Sequence, residues 1–443
     1  MTSSHPLPVS CQWFSWLATA LDRRSAPRLA LLFLGAVLAR GRRTVTAWIR
    51  AAKLSGQYQS CYIAVAAAGK RADRIARRLL TEVVTPLLKG VTRLTLVLDD
   101  TPTKRYGPHV QGAGIHHNPT PGPAGSAYVY GHVFVVLGLL VTHKAWGTIA
   151  LPLLSRLYVR RKDLPAIDPK HRPAFRTKLE LAVELLRWVK PWLELLNLPI
   201  WVVADGAYAK KEFLKPAKAM GMTVVSRLRK DAALRSLPGP KPSGRRGPAP
   251  TYGADVIDLA KRAGQRRGWS SDTFELYGEK AVKKYKTFPA TWRPAGGVIR
   301  VVLVDEPTGW RAYFCTDTSA SVADILGMVA DRFSLEITFR ECKQVVGAGQ
   351  QQVRFIRANI GAFHICLWTF TLTEAWAWGR KDEELVDRSG SPWDNSSRRP
   401  SHADKRRAWR RELLGEEIRA VLRPGVTEEE IQAAADRLLS LAA

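Results

Sequence analysis

Apolar residues recur at three- and four-residue spacing through the first ninety positions, over Trp13–Leu21, Pro27–Ala39, Val45–Lys53 and Lys70–Val83. That period predicts short amphipathic helices, and Thr44 and Thr46 stand at plausible cap positions for the third. After Thr92 the pattern changes. Leu94–Leu98 is a short apolar run closed by Asp99-Asp100-Thr101, residues 101–126 are rich in Gly, Pro and His, and Tyr128–Thr142 and Trp146–Tyr158 read as a strand meander. Ala174–Leu196 predicts a long helix that Pro191 should kink or split near its end. Pro199–Ala204 is another apolar strand ending in Asp205-Gly206, followed by a helix over Ala209–Met220 and a strand at Thr223–Ser226. Strands alternating with helices point to an α/β fold with a mixed sheet.

Residues 236–253 carry too much Pro and Gly for a packed element and predict a loop. Short strand-like segments follow at Phe274–Leu276, Val282–Phe288, Val298–Val304 and Ala312–Thr316. Ser321–Val345 predicts a helix capped by Ser321, and Ala362–Trp378 a very apolar one. A polar stretch over 380–410 reads as a linker, and Trp409–Leu422 and Glu428–Leu441 as two final helices, the last opened by a Thr427/Glu430 capping box. The expected organisation is a helical N-terminal domain over 1–90 and an α/β core in two parts, 91–227 and 319–379. A basic β-rich insertion over 228–318 divides the core, and a linker with C-terminal helices spans 380–443.

Charge changes this picture. The chain of 443 residues has 68 Lys and Arg against 39 Asp and Glu, a formal net charge of +29, which implies a polyanionic partner. The apolar fraction of 46% excludes a disordered basic tail. No apolar run reaches the ~18–20 residues that span a bilayer, so the polyanion is expected to be nucleic acid rather than a membrane surface. Five scattered cysteines without a C-x-x-C pair argue against structural zinc and a disulfide framework, and suit a reducing cytoplasm. Arg40, Arg42, Arg43 and Arg50 lie on and between the first helices, as in a small DNA-binding bundle. In the insertion, Arg245, Arg246, Lys283 and Lys284 interleave with Trp269, Tyr277, Tyr285 and Trp292, offering cations for phosphates and rings for bases. Those rings serve equally well as the core of a small sheet.

In so basic a chain, carboxylates at strand ends need a reason. Asp100 and Asp205 each close an apolar strand, where α/β sheets often deliver functional groups, though turn aspartates are common there too. The third is Glu336. On a helical wheel it falls within about 20° of Ile325 and Val329, with Arg332 and Arg340 four residues to either side and Lys343 seven beyond. A carboxylate on an apolar stripe is costly unless paired or metal-bound. Two Asp and one Glu suit hard Mg²⁺ ions, which could clamp the attacking and leaving oxygens of a phosphoryl displacement.

With these residues placed, the chain resembles the DDE transposases of bacterial insertion sequences. It is most similar to the cut-and-paste branch, in which a β-rich insertion interrupts an RNase H-like core. That branch carries Tyr-x2-Arg-x3-Glu-x6-Lys around its catalytic glutamate; Arg332, Glu336 and Lys343 meet the spacing, and Val329 stands at the Tyr position. Asp100-Thr101 matches the first aspartate, with Asp99 as the alternative, and Asp205-Gly206-Ala207-Tyr208 matches the second. The resemblance covers roughly residues 90–375. It implies catalysis and metal binding by Asp100, Asp205 and Glu336 with two Mg²⁺ ions, for which Mn²⁺ can substitute, and DNA contacts from Arg332, Arg340 and Lys343. It implies cleavage at the element's ends, a hairpin intermediate and strand transfer into target DNA. An aromatic of the insertion would hold a flipped base, with Trp292 the choice and Trp269 the alternative. The partners implied are double-stranded DNA and a second copy in the synaptic complex, in a bacterial cytoplasm at the nucleoid. The competing readings are an RNase H-like endonuclease without strand transfer and a decayed, DNA-binding regulator. His116, His117 and His132 lack a convincing fourth ligand and read as structural, and Gly112 and Gly114 lack the context of a nucleotide loop.

Overall fold

The computed structural model describes residues 11–118, 125–241, 246–422 and 424–442. In chain order its helices and strands begin with α1 (Gln12–Ala18), α2 (Ala26–Leu38), α3 (Val45–Ala51), α4 (Tyr58–Lys70) and α5 (Ala72–Arg78). There follow β1 (Leu94–Lys104), β2 (Gly114–His117), β3 (Tyr128–His143), β4 (Gly147–Tyr158), α6 (Lys178–Leu193), β5 (Ile200–Ala204), α7 (Lys211–Ala219) and β6 (Thr223–Leu228). Residues 228–318 supply β7 (Leu234–Arg235), β8 (Val256–Ile257), α8 (Leu259–Gly264), β9 (Ser270–Leu276), β10 (Glu279–Trp292), β11 (Gly297–Asp305) and β12 (Arg311–Cys315). The chain closes with α9 (Val322–Glu341), α10 (Ile356–Ala377), α11 (Asp382–Leu385), α12 (His402–Val421) and α13 (Glu428–Ala442).

One mixed sheet runs through the molecule in the order β2-β3-β1-β5-β6-β12-β11-β10-β7-β8, with β4 beside β3 and β9 beside β10. β1, β5 and β6 are parallel; β3 and β4 are antiparallel to their neighbours. This α/β arrangement is consistent with an RNase H-like core. The segment expected to be an insertion joins the same sheet, because β12 pairs antiparallel with β6 from Ala312↔Leu228 to Cys315↔Val225. These strands therefore belong to the same sheet as β1, which runs on past Asp99 to Lys104, and β5, which Asp205 follows.

β4 lies at a sheet edge, where unpaired backbone groups would be exposed. Side chains of the two long helices cover it. Ser155 N donates to His364 Nε2 at 3.0 Å, Trp368 Nε1 to Leu153 O at 2.8 Å, Thr371 Oγ1 to Pro152 O at 2.8 Å and Thr338 Oγ1 to Ala150 O at 2.9 Å. These bonds explain why the apolar helix α10 still carries His364, Trp368 and Thr371.

The N-terminal helices pack against α10 rather than standing apart. α4 and α10 cross glycine to glycine: a Cβ on Gly69 would lie 2.0 Å from Arg357 O, and one on Gly361 1.9 Å from Val65 O. Only glycine permits so close an approach. The α4 segment lay outside the four helices expected from periodicity, because its buried face is small rather than strongly apolar (Cys61, Ala64, Val65 and Ala68). The expected cap is present at Thr44, whose hydroxyl accepts from Ala47 N.

Two expected elements are corrected. α6 starts at Lys178 behind a Thr177–Glu180 capping box and runs through Pro191 to Leu193. The proline sits in the last turn, and both it and Arg187, whose carbonyl loses its donor, are exposed, so water can satisfy the carbonyl. The stretch 380–410 is only partly a linker: α12 begins at His402 behind a Ser401–Asp404 capping box. Its buried Arg406 donates to Ala36 O and Ala39 O, fastening α12 to α2. Among the described residues no helix is long and apolar enough to cross a membrane, and no disulfide joins the five buried cysteines.

Candidate active site

Parallel pairing sets Leu98 opposite Ala204, so the next residues, Asp99 and Asp205, emerge side by side from β1 and β5. Asp205 then turns the chain: its Oδ2 accepts from Ala207 N at 3.0 Å and caps the short turn Gly206–Tyr208. An open cleft of about 390 Å³ adjoins it, lined by Asp205, Gly206, Arg227, Arg229 and Lys230.

Successive side chains on a strand point to opposite faces. Asp99 faces α9, where its Oδ2 accepts from Arg332 Nη1 at 3.0 Å. Asp100 faces α6, where its Oδ2 accepts from Lys178 Nζ at 2.6 Å. Its Oδ1 lies 3.4 Å from the Tyr208 hydroxyl, in the turn that follows Asp205. Of the two candidates for the first aspartate, Asp100 and the alternative Asp99, it is Asp99 that stands with Arg332 and Glu336. Asp100 lies behind them, tying the Asp205 turn to β1.

Glu336 departs from the helical-wheel expectation. Its side chain is 43% exposed, at the rim of the buried face that includes Ile325, Leu335 and Phe339. Arg332 Nη2 donates to its Oε1 at 2.6 Å. One guanidinium thus bridges Asp99 and Glu336. Among the described residues no three His, Cys, Asp or Glu side chains are gathered closely enough to hold a metal ion as they stand. Burial, chiefly, pushes Asp99 up to about 7; Arg332 opposes that rise, and repulsion from Asp100 and Asp205 adds to it. Burial also works against the charge on Arg332, but Asp99, Glu336 and Asp205 outweigh it and hold its pKa above the ordinary value. Burial first, then Asp100, Asp99 and Asp205, pushes the Tyr208 hydroxyl well above its usual range.

Lys343 lies beyond α9 in a π-turn, Cys342–Val346. Burial lowers its pKa, and it makes no ion pair with a described carboxylate. Arg340 pairs with Glu341 at 3.1 Å. In the insertion, Arg246 is exposed, and Arg245 lies outside the described residues. Lys283 is held by both oxygens of Glu306 at 2.9 Å, and Lys284 reaches Asp305 at 3.1 Å.

Trp292 is a core residue: it is 7% exposed and packs edge-on against Phe314, with centroids 5.1 Å apart. Trp269 donates to Gln265 O and lies under the ammonium groups of Lys284 and Lys286. Two exposed rings meet at α9, Tyr277 and Phe333, a pair not singled out from the sequence. They are 68% and 46% exposed and meet edge to face at 6.1 Å. Phe333 follows Arg332 on α9, and Tyr277 sits at the tip of the β9–β10 hairpin. Tyr277 and Gly278 have φ of 58° and 83°, the left-handed pair of a tight two-residue turn. The Tyr-Gly dipeptide between two strand-like runs was the available signal. His116 and His132 are structural: burial lowers them to about 4 and about 3, and Arg105 Nε donates to His132 Nδ1.

No curated protein matches the chain closely enough to serve as a relative. The family described as DDE superfamily endonuclease matches residues 17–294, a span that includes Asp99 and Asp205 and ends just after β10, before α9 contributes Glu336. Because that match covers more than half of the chain, the protein belongs to the DDE superfamily endonuclease family.

Proposed function

We propose that this protein is a DNA transposase that cuts the ends of its element and joins them to target DNA, with Asp99, Asp205 and Glu336 as its carboxylates. The observation that carries the reading is one guanidinium, Arg332, that bonds both Asp99 of β1 and Glu336 of α9, with Asp205 directly following the parallel neighbour strand β5. The all-oxygen donor set fits hard divalent ions such as Mg²⁺ or Mn²⁺. Held by these residues, such an ion would supply Lewis-acid activation of the attacking and leaving oxygens.

The chain's own residues would position the DNA. Lys343, without a carboxylate partner among the described residues, is suited to a phosphate, as are Arg227, Arg229 and Lys230 along the cleft beside Asp205. Tyr277 and Phe333 offer exposed faces to a base displaced near the cut, the role first given to Trp292. Asp100 acts as a positioning residue through Lys178 and Tyr208. The proposed sequence is hydrolysis at the element's end, attack of the freed 3′-OH on the opposite strand to give a hairpin, reopening, and attack on target DNA. The arginines of the N-terminal helices would add sequence-independent contacts, and two copies would pair the two ends.

Incubation with end-containing DNA and Mg²⁺ tests the reading. Excision with joining is the expected result; nicking alone would indicate an endonuclease, and binding alone a regulator. Glu336→Gln should abolish cleavage while DNA binding persists, and full cleavage by that variant would remove Glu336 from the site.

A further inference from the structure

Arg332 holds an unusual position for a DNA-binding residue. Its two terminal nitrogens are spent on Asp99 Oδ2 and Glu336 Oε1, at 3.0 and 2.6 Å. Asp99 Oδ1 already accepts from Asp100 N at 2.8 Å. Both oxygens of Asp99 therefore accept a hydrogen bond, one from the backbone N–H of Asp100 and one from the guanidinium. Asp99 is also partly buried, at 20% side-chain exposure, beside a second aspartate that repels it. A partly buried carboxylate in such company needs a cation close by.

We propose that Arg332 is an exchangeable counter-ion: it holds Asp99 and Glu336 together in the metal-free protein, and yields those oxygens when a divalent cation binds. This rests on the assignment of Asp99, Asp205 and Glu336 as metal ligands. The guanidinium lies between the Asp99 and Glu336 oxygens, so a divalent cation held between these carboxylates would compete with it for the same space and the same negative charge. Once released, Arg332 joins Lys343 and Arg340 along and just beyond α9, where a planar guanidinium can grip a phosphate with two parallel bonds. DNA would then favour the released side chain, and the released side chain would favour metal. Linkage makes the effect reciprocal: DNA should tighten metal binding by the same factor by which metal tightens DNA binding. The arrangement keeps hydrolytic metal from settling in the site before DNA is present.

The test measures Mn²⁺ affinity by calorimetry or by the electron-spin signal of free Mn²⁺, with and without a short duplex bearing the element's end. Wild type should bind Mn²⁺ weakly alone and more tightly with DNA. DNA-free Arg332→Ala should bind Mn²⁺ about tenfold more tightly than wild type, within the range typical of coupled sites, and should lose most of the enhancement by DNA. Arg332→Lys, which can reach only one carboxylate, should fall between and serves if the alanine variant folds poorly. Arg340→Ala removes one positive charge from the same helix without vacating the carboxylates and should leave DNA-free Mn²⁺ affinity near wild type. Equal or weaker Mn²⁺ binding by both Arg332 variants, with binding still abolished by Asp99→Asn, would overturn the exchange and leave the ligand assignment standing. An equal gain from Arg340→Ala would also overturn it, by showing a general charge effect. Unchanged binding by Asp99→Asn would remove the ligand assignment and the exchange together.

Discussion

Asp99 and Asp100 are adjacent in sequence, yet strand alternation sends one to Arg332 on α9 and the other to Lys178 on α6. Their substitutions should separate accordingly. Asp99→Asn should reduce cleavage below detection, as expected for a lost metal ligand. Asp100→Asn removes an outer contact and should cost about 10–100-fold, the size usual for groups that orient a ligand. Cleavage assays on a labelled end duplex decide the order, and a greater loss from Asp100→Asn would reverse the assignment. Lys343 belongs to the same scale. If it contacts one phosphate, Lys343→Ala should weaken DNA binding across sequences and reduce the log–log salt slope by about 1.

Two elements carry the geometry that brings these residues together. α9 spans from its Ser321 cap to the site, and α10 seals the β4 edge while crossing α4 at Gly69 and Gly361. Gly361→Ala would drive a methyl group into Val65 O. Overpacking of this kind costs about 1–3 kcal/mol, and chemical denaturation should show a loss of that size. The β9–β10 hairpin is the second device. Tyr277→Ala and Phe333→Ala should each weaken binding to end DNA by about 1–3 kcal/mol if a base stacks there, whereas Trp292→Ala should destabilise the fold. Denaturation midpoints and DNA affinities measured on the same variants distinguish the two effects.

Across the whole molecule, the C-terminal helices close the structure around buried charge. Glu374 of α10 accepts from His402 and Lys405 of α12, all nearly inaccessible to water. Burial alone would raise the carboxyl, but Lys405 and His402 overcome it and hold it down at about 2 against an ordinary value of 4.5. A folded pKa below the unfolded one gives stability that is present above pH 4.5 and lost as the pH falls towards about 2. Denaturation across that window should show the loss, and Glu374→Gln should flatten it. The same variant leaves Lys405 buried without its counter-charge, at a cost of about 3–5 kcal/mol near neutral pH. The net charge of +29 acts at this scale too, and predicts DNA binding that weakens steeply with salt.

The sequence by itself determined most of the helices and strands, the apolar runs that lead to Asp99 and Asp205 and the helix that presents Glu336, because periodicity and capping are local properties. Ser321 and Thr44 cap the helices they were expected to cap. It also placed the β segments of the insertion, since β-prone runs and the turns between them are read within a few residues. It preferred Asp100 to Asp99, set Glu336 on the apolar stripe and preferred Trp292 among the aromatics, whereas the structure puts Asp99 beside Arg332, exposes Glu336 and buries Trp292. Those placements depend on strand pairing and on which helix covers each sheet face, contacts between residues more than two hundred positions apart. Trp292 and Tyr277 look alike as aromatics in a basic segment. Only the tertiary structure put one under Phe314 and the other beside Phe333, because burial depends on what packs across from a side chain and not on its neighbours in the chain.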